Sequence, residues 1–325
     1  MAMNASRSNG IDLARSIAIL GVVLVHSGCY GNGRFGVQLF FLVSGYLLAD
    51  LGNLRSSDFL IRRAFRLFPL YLIIFIVFYH DRYNSFWQLF MSLILIQNVH
   101  WIFISIPGAW SISNEWIFSL LLPVIKRITK KKLLILIGLS WLSEIYTSYL
   151  IHSWGGITTS ETDYQYSLKV WANTLNPAIN ISFLLIGIGL KKGYINILNN
   201  KLISFMIIFV GQTTALIIGH DLLFLWPPIL WAIFSLSLNW TPNSMILKKV
   251  VNFVGQRTYG IFFIHFILLE KVINLNLIKQ ITQTFGLRNF AIFSVTFITS
   301  AILSELTWRY IESPFIKISK KFINR

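Results

Sequence analysis

Apolar residues in this chain do not alternate with polar ones. They gather in long runs separated by short polar punctuation, at approximately 11–29, 35–51, 67–80, 110–125, 133–151, 175–190, 202–219, 222–240, 258–275 and 289–308. A helix needs about 20 apolar residues to cross the hydrocarbon of a bilayer, with a range of roughly 17 to 25, and the shorter runs reach that length through flanking aromatic residues. The pattern predicts an all-α, polytopic membrane protein with ten transmembrane helices, organised as a single domain over residues 1–325. A further apolar piece, Phe86 to Asn98, has 13 residues and is too short to cross comfortably. It is expected to be a re-entrant or interfacial segment on the outer side.

Basic residues orient these spans, because cytoplasmic loops carry the excess of lysine and arginine. With both termini cytoplasmic, ten crossings leave 22 basic residues inside and 6 outside, the latter being Arg34, Arg82, Lys169, Lys271, Lys279 and Arg288. Counting residues 86–98 as a full crossing would invert every later loop and place the run from Lys126 to Lys132 outside. The first run has the charged start of a signal peptide, but no small-residue cleavage site follows, and Arg15 and His26 sit inside it. It is read as a retained span. The longest outer loop, roughly 152–174, is too short to fold alone.

Composition agrees with a bilayer as the solvent. Apolar residues make up 55% of the 325 residues and charged residues 12%, about half the usual share for a soluble domain. The net charge of +16 fits positive cytoplasmic loops better than nucleic-acid binding, since the basic residues are spread over several loops and form no stripe. A single cysteine, Cys29, excludes an internal disulfide framework and a cysteine-based metal cluster. No P-loop, dinucleotide-binding glycine motif, HExxH or GxSxG is present. No metal is expected.

Candidate chemistry comes from the polar residues inside the spans, each of which costs at least about 2.5–3.5 kcal/mol to insert. Arg15 and His26 are eleven residues apart on the first span. At 100° per residue they share one helical face, roughly 16 Å apart along the axis. Asp12, three residues before Arg15, can pair with it and hold its orientation. Taken singly, Arg15 could snorkel to inner headgroups and His26 could be a satisfied polar residue. As a pair on one stripe they point to function, with a neutral imidazole able to take a proton from a hydroxyl near ambient pH. At the cytoplasmic mouth of the third span, Arg62, Arg63 and Arg66 put three guanidinium groups within five residues just before Pro69. They suit bidentate phosphate binding, with positive-inside anchoring as the bland alternative.

Glu115 lies near the outer end of the fourth span, between Trp110 and Trp116. Tryptophans there form an ordinary aromatic belt, whereas a carboxylate at that depth could orient an imidazole. Ser44 and Gly45 break the second span and are expected mainly to allow close helix packing. His265 in the ninth span is another buried candidate, whose nearest carboxylate in sequence, Glu270, is off its helical face. His80, His100, His152 and His220 fall in or near outer turns and are expected to be solvated.

These residues resemble acyltransferase family 3, a group of integral membrane acyltransferases. Asp12 and Arg15 followed by His26 resemble its opening D-x-x-R and later histidine. Gly36 to Tyr46 resembles G-V-x-x-F-F-x-x-S-G-F/Y, and Phe59 to Tyr71 resembles F-x-x-x-R-x-x-R-x-x-P-x-Y, with Arg63 and Arg66 at the arginines. Trp110 to Glu115 with Phe118 resembles W-S-L-x-x-E-x-x-F, while Tyr259 to His265 and Arg309 to Phe315 resemble the closing signatures. Ile112 stands for the usual leucine, Ser119 where tyrosine is frequent, and Leu13-Ala14 for the commoner Gly-Leu; none of these removes a candidate catalytic group. Some relatives carry an extracytoplasmic esterase-like domain after the tenth span, and this sequence is expected to lack one.

The resemblance implies transfer of an acyl group, usually acetyl, from cytosolic acyl-CoA to a hydroxyl of a glycan at the outer side of the cell (inner) membrane. Acetyl-CoA would be the co-substrate and the bilayer a permanent partner. His26 would act as general base with Glu115 supporting it, while Arg15, Arg63 and Arg66, with Arg62 beside them, would position the donor. Transfer through an acylated side chain is a second route. The acceptor stays open among lipopolysaccharide O-antigen, exopolysaccharide, a lipid-linked oligosaccharide and a small glycosylated metabolite. The rival reading is a proton-coupled secondary transporter with Arg15, His26 and Glu115 as its polar path. That architecture favours inverted repeats, and no internal symmetry is visible in the sequence.

Overall fold

A computed structural model describes residues 9–29, 34–50, 55–80, 85–99, 107–125, 127–153, 175–218, 225–273 and 288–323. Among the described residues the protein is all-helical. In chain order the helices are α1 (Asn9–His26), α2 (Arg34–Asp50), α3 (Ser56–Ile74), α4 (Phe86–Leu93), α5 (Ala109–Leu120) and α6 (Lys130–Ser153). They continue as α7 (Pro177–Lys191), α8 (Lys201–Ile218), α9 (Trp226–Leu238), α10 (Met245–Ile273), α11 (Arg288–Thr307) and α12 (Ser313–Ile323). Each of the ten apolar runs overlaps a helix among the described residues. Among the described residues two helical stretches, Asn9–His26 and Arg288–Ile323, are by themselves long and apolar enough to cross a membrane. Residues 35–49, 177–191, 201–214 and 226–238 are apolar but shorter.

Two elements differ from what hydropathy marks, and a third agrees with it. The run at 258–275 belongs to a 29-residue helix, α10, that begins at Met245. Lys248 and Lys249 lower the local hydropathy but not the helical preference of the backbone, so the helix runs through them. The basic C-terminal tail contains α12, where Phe315, Ile318 and Phe322 fall on one side and Lys317, Lys320 and Lys321 on the other. The Phe65 ring of α3 lies 6.3 Å from Phe315 and 5.5 Å from Phe322. Within the segment 86–98, helix α4 has only eight residues, about 12 Å of rise against about 30 Å of hydrocarbon. It ends where the buried Leu95 takes the left-handed conformation with φ 57°.

The chain divides into two compact units, Met1–Val43 with Asn196–Glu305, and Ser44–Ile195 with Leu306–Arg325. In the first unit α1 packs tightly on α10. A Cβ added to Gly255 would stand 2.6 Å from the Asp12 carbonyl oxygen, so only glycine permits this approach. Beside that contact the Ser16 hydroxyl reaches the carbonyls of Asp12 at 2.8 Å and Val251 at 3.1 Å.

In the second unit, a Cβ on Gly45 would lie 1.9 Å from the Leu184 carbonyl oxygen of α7. Ser140 of α6 donates to the Ala178 carbonyl of α7 at 2.7 Å. Tyr71 of α3 donates to the Ser92 carbonyl at 2.9 Å. The buried Asn98 amide donates to Asn114 Oδ1 at 2.6 Å and to the Leu175 carbonyl, which also accepts from Asn114 at 3.0 Å. These bonds fasten the short 3₁₀ turn Gln97–Val99 at the end of the 86–99 segment to α5 through groups that would otherwise be orphaned in the interior.

Candidate active site

The first unit brings His26 and His265 together. His26 is the last residue of α1 and remains exposed, whereas His265 in the middle of α10 is fully buried. Their rings lie 5.2 Å apart between centroids, with His265 Nε2 3.2 Å from His26 Nδ1. The other nitrogen of His265, Nδ1, lies 3.2 Å from the Ile261 carbonyl one turn back along α10. Phe266 packs on both imidazoles, at 4.6 Å from His26 and 4.0 Å from His265. Arg15 is half-buried on the same continuous helix as His26, and Asp12, three residues earlier, is buried against α10 at the Gly255 approach.

The second unit builds a site around Glu115 of α5. Its Oε1 accepts from the Ser44 hydroxyl of α2 at 2.8 Å and forms an ion pair with Arg63 of α3. The Arg63 and Glu115 side chains are 10% and 19% exposed. Arg66, on the same face of α3 as Arg63, lies within electrostatic reach of the carboxylate. Arg63 also sits 5.7 Å above the Phe59 ring. Arg62 is rotated 100° from Arg63 around α3 and half-buried, with its Nε out of contact with solvent. Trp110 is half-buried in the first turn of α5.

Within its unit Glu115, expected to support His26, accepts from Ser44 and pairs with Arg63. Within its own unit His26 meets His265. The small pair in α2 divides its work: Gly45 supplies the close helix contact and Ser44 supplies a hydrogen bond to a carboxylate. Among the remaining histidines, His80 is exposed, while His100, His220 and the side chain of His152 lie outside the described residues, as does the Glu270 side chain. Arg7, Arg82, Lys126, Lys169, Lys279 and Arg325 lie outside them too, together with most of the 152–174 loop.

Sequence reasoning missed the buried amide pair Asn98 and Asn114, although Asn114 is the immediate neighbour of Glu115. A pair of amides inside apolar runs is itself a signal of this kind.

The first unit thus holds an exposed imidazole against a buried one, and the second holds a guanidinium cluster whose orientation a carboxylate fixes. A family model described as an acyltransferase domain, that of acyltransferase family 3, matches residues 8–305, and the chain belongs to this family. The peptidoglycan O-acetyltransferase of Listeria monocytogenes is 27% identical over 370 residues, covering 97% of this chain and 56% of the relative. A Staphylococcus aureus protein provisionally named an O-acetyltransferase is 22% identical over 372 residues, covering 97% of this chain and 58% of its own. The chain therefore spans a little over half the length of these curated relatives. No solved structure matches.

Proposed function

We propose that this protein is a membrane O-acetyltransferase that moves an acyl group, acetyl by default, from cytosolic acyl-CoA to a hydroxyl of a cell-envelope or secreted glycan. The observation that carries the reading is His26, an exposed imidazole at the end of α1, in a chain whose family model covers nearly its whole length. In the reaction, His26 takes the proton of the acceptor hydroxyl as its oxygen attacks the thioester carbonyl. The carbon–sulfur bond then breaks, CoA leaves as thiolate, and the proton held by His26 completes the thiol. Arg62, Arg63 and Arg66 hold the CoA phosphates, with Glu115 and Ser44 fixing the Arg63 fork. Arg15 lies along the helix that carries the base and helps position the donor.

The protein is read as crossing the inner membrane ten times with both termini cytoplasmic. Support comes from the distribution of basic residues and from large apolar side chains facing outward on α6 and α8, among them Leu139, Leu142, Phe205 and Phe209. A surface of that kind is rare on proteins bathed in water. The name of the Listeria relative makes peptidoglycan an acceptor to test beside O-antigen, exopolysaccharide, lipid-linked oligosaccharides and glycosylated metabolites.

The test is full-length protein in proteoliposomes, given radiolabelled acetyl-CoA and each glycan class in turn. Label on one glycan supports the reading; label on none, with CoA release no faster than in empty vesicles, refutes it.

A further inference from the structure

Two imidazoles in contact constrain each other's protons. A neutral imidazole carries one N–H and one lone pair, so the role of either nitrogen decides the role of the other. The Ile261 carbonyl can only accept, and it lies 3.2 Å from His265 Nδ1, which places the His265 proton on Nδ1. The ring is fully buried, with Phe262 and Phe266 at centroid distances of 5.8 and 4.0 Å. Apolar surroundings of this kind favour a single proton on the ring over a buried charge. His265 Nε2 is then a lone pair, and the 3.2 Å contact to His26, whose ring also hydrogen-bonds the Val22 backbone one turn back, is a hydrogen bond only when His26 Nδ1 carries the hydrogen.

We infer that His265 is the positioning residue that fixes the tautomer of His26, holding its proton on Nδ1 and leaving Nε2, across the ring, as the reactive lone pair. The second histidine thus does for the first what a buried acceptor does for any general-base imidazole: it sets orientation and tautomer, and it strengthens its hydrogen bond when the base becomes cationic. Close approach of α1 and α10 at Gly255 supports the register that lets the two rings meet. The inference rests on reading His26 as the base.

Two readouts on the full chain in nanodiscs separate this inference from that reading. The first needs no turnover: nitrogen NMR of histidine-labelled protein, assigned with single-histidine variants. The expected spectrum shows His26 protonated at Nδ1 and bare at Nε2; the opposite tautomer overturns the inference. The second compares two amides at position 265. In His265→Gln the side-chain oxygen can take the place of Nε2 and accept from His26, while in His265→Asn the shorter amide cannot reach.

Loss of a correctly held base is worth of the order of 10²-fold in rate. His265→Asn is expected to lower kcat by about that factor at unchanged KM for acetyl-CoA, and His265→Gln to recover most of the loss. Equal kcat in the two variants, or full activity in His265→Asn, overturns the inference. If His26→Ala instead keeps full activity, the base assignment fails, and the NMR result still decides the tautomer separately.

Discussion

Arg63 and Glu115 give the account a quantitative handle, because their pairing is mostly buried and comes from two helices of the same unit. Removing one partner of a buried ion pair costs about 3–5 kcal/mol, since the other charge is left uncompensated. With the side chains still 10% and 19% exposed, water relieves part of that penalty, and about 2–3 kcal/mol is the expected loss for either single alanine variant. The double variant removes both charges, so its loss should stay near that of one single variant. The coupling energy is therefore about 2 kcal/mol or more.

The assay is a double-mutant cycle of Arg63→Ala and Glu115→Ala, read by equilibrium unfolding in mixed micelles of increasing dodecyl sulfate content. Ser44→Ala enters as a third arm. It deletes one hydrogen bond to the same carboxylate oxygen, worth about 1.5–3 kcal/mol for a charged acceptor. The loss should largely vanish in the Glu115→Ala background. Additivity of the Arg63 and Glu115 losses within about 0.5 kcal/mol would show that the two side chains are not energetically paired.

Two further outcomes follow from packing and topology. Gly45→Ala should destabilise by about 3 kcal/mol or more in the same unfolding assay, because the added methyl meets a backbone oxygen 1.9 Å away that cannot swing aside; unchanged stability would show that α2 and α7 are not in that contact. Cys29, the single cysteine, follows α1 and should be labelled by a membrane-impermeant maleimide added outside intact cells but not by the same reagent added outside inverted vesicles; the reverse pattern would invert the topology.

Helix positions were the legible part of this sequence. Apolar runs report solvent preference, and each run overlaps a helix. Helix ends were less legible, because hydropathy measures solvent preference and not backbone conformation. Lys248 and Lys249 therefore hid the first half of α10, and the lysines of α12 concealed an amphipathic helix whose apolar spacing is visible in hindsight. Candidate residues were nameable from their charge and depth, but their partners were not. His26 meets His265 across 239 positions of sequence, and Ser44 meets Glu115 across 71, pairings that depend on how helices pack. The same limit hid the left-handed turn at Leu95, for which the sequence offers no glycine.

On the proposed function, the imidazole at the end of α1 performs the proton transfer. The direct measurement is single-turnover acyl transfer from labelled acetyl-CoA to the accepting glycan by purified His26→Ala in nanodiscs, beside wild type at equal protein amount and with equal acetyl-CoA binding. Loss of a general base is worth about 10²–10⁴-fold, so the expected rate is lower by at least about 10²-fold with donor binding intact. A variant that transfers acetyl at the wild-type rate would contradict the account.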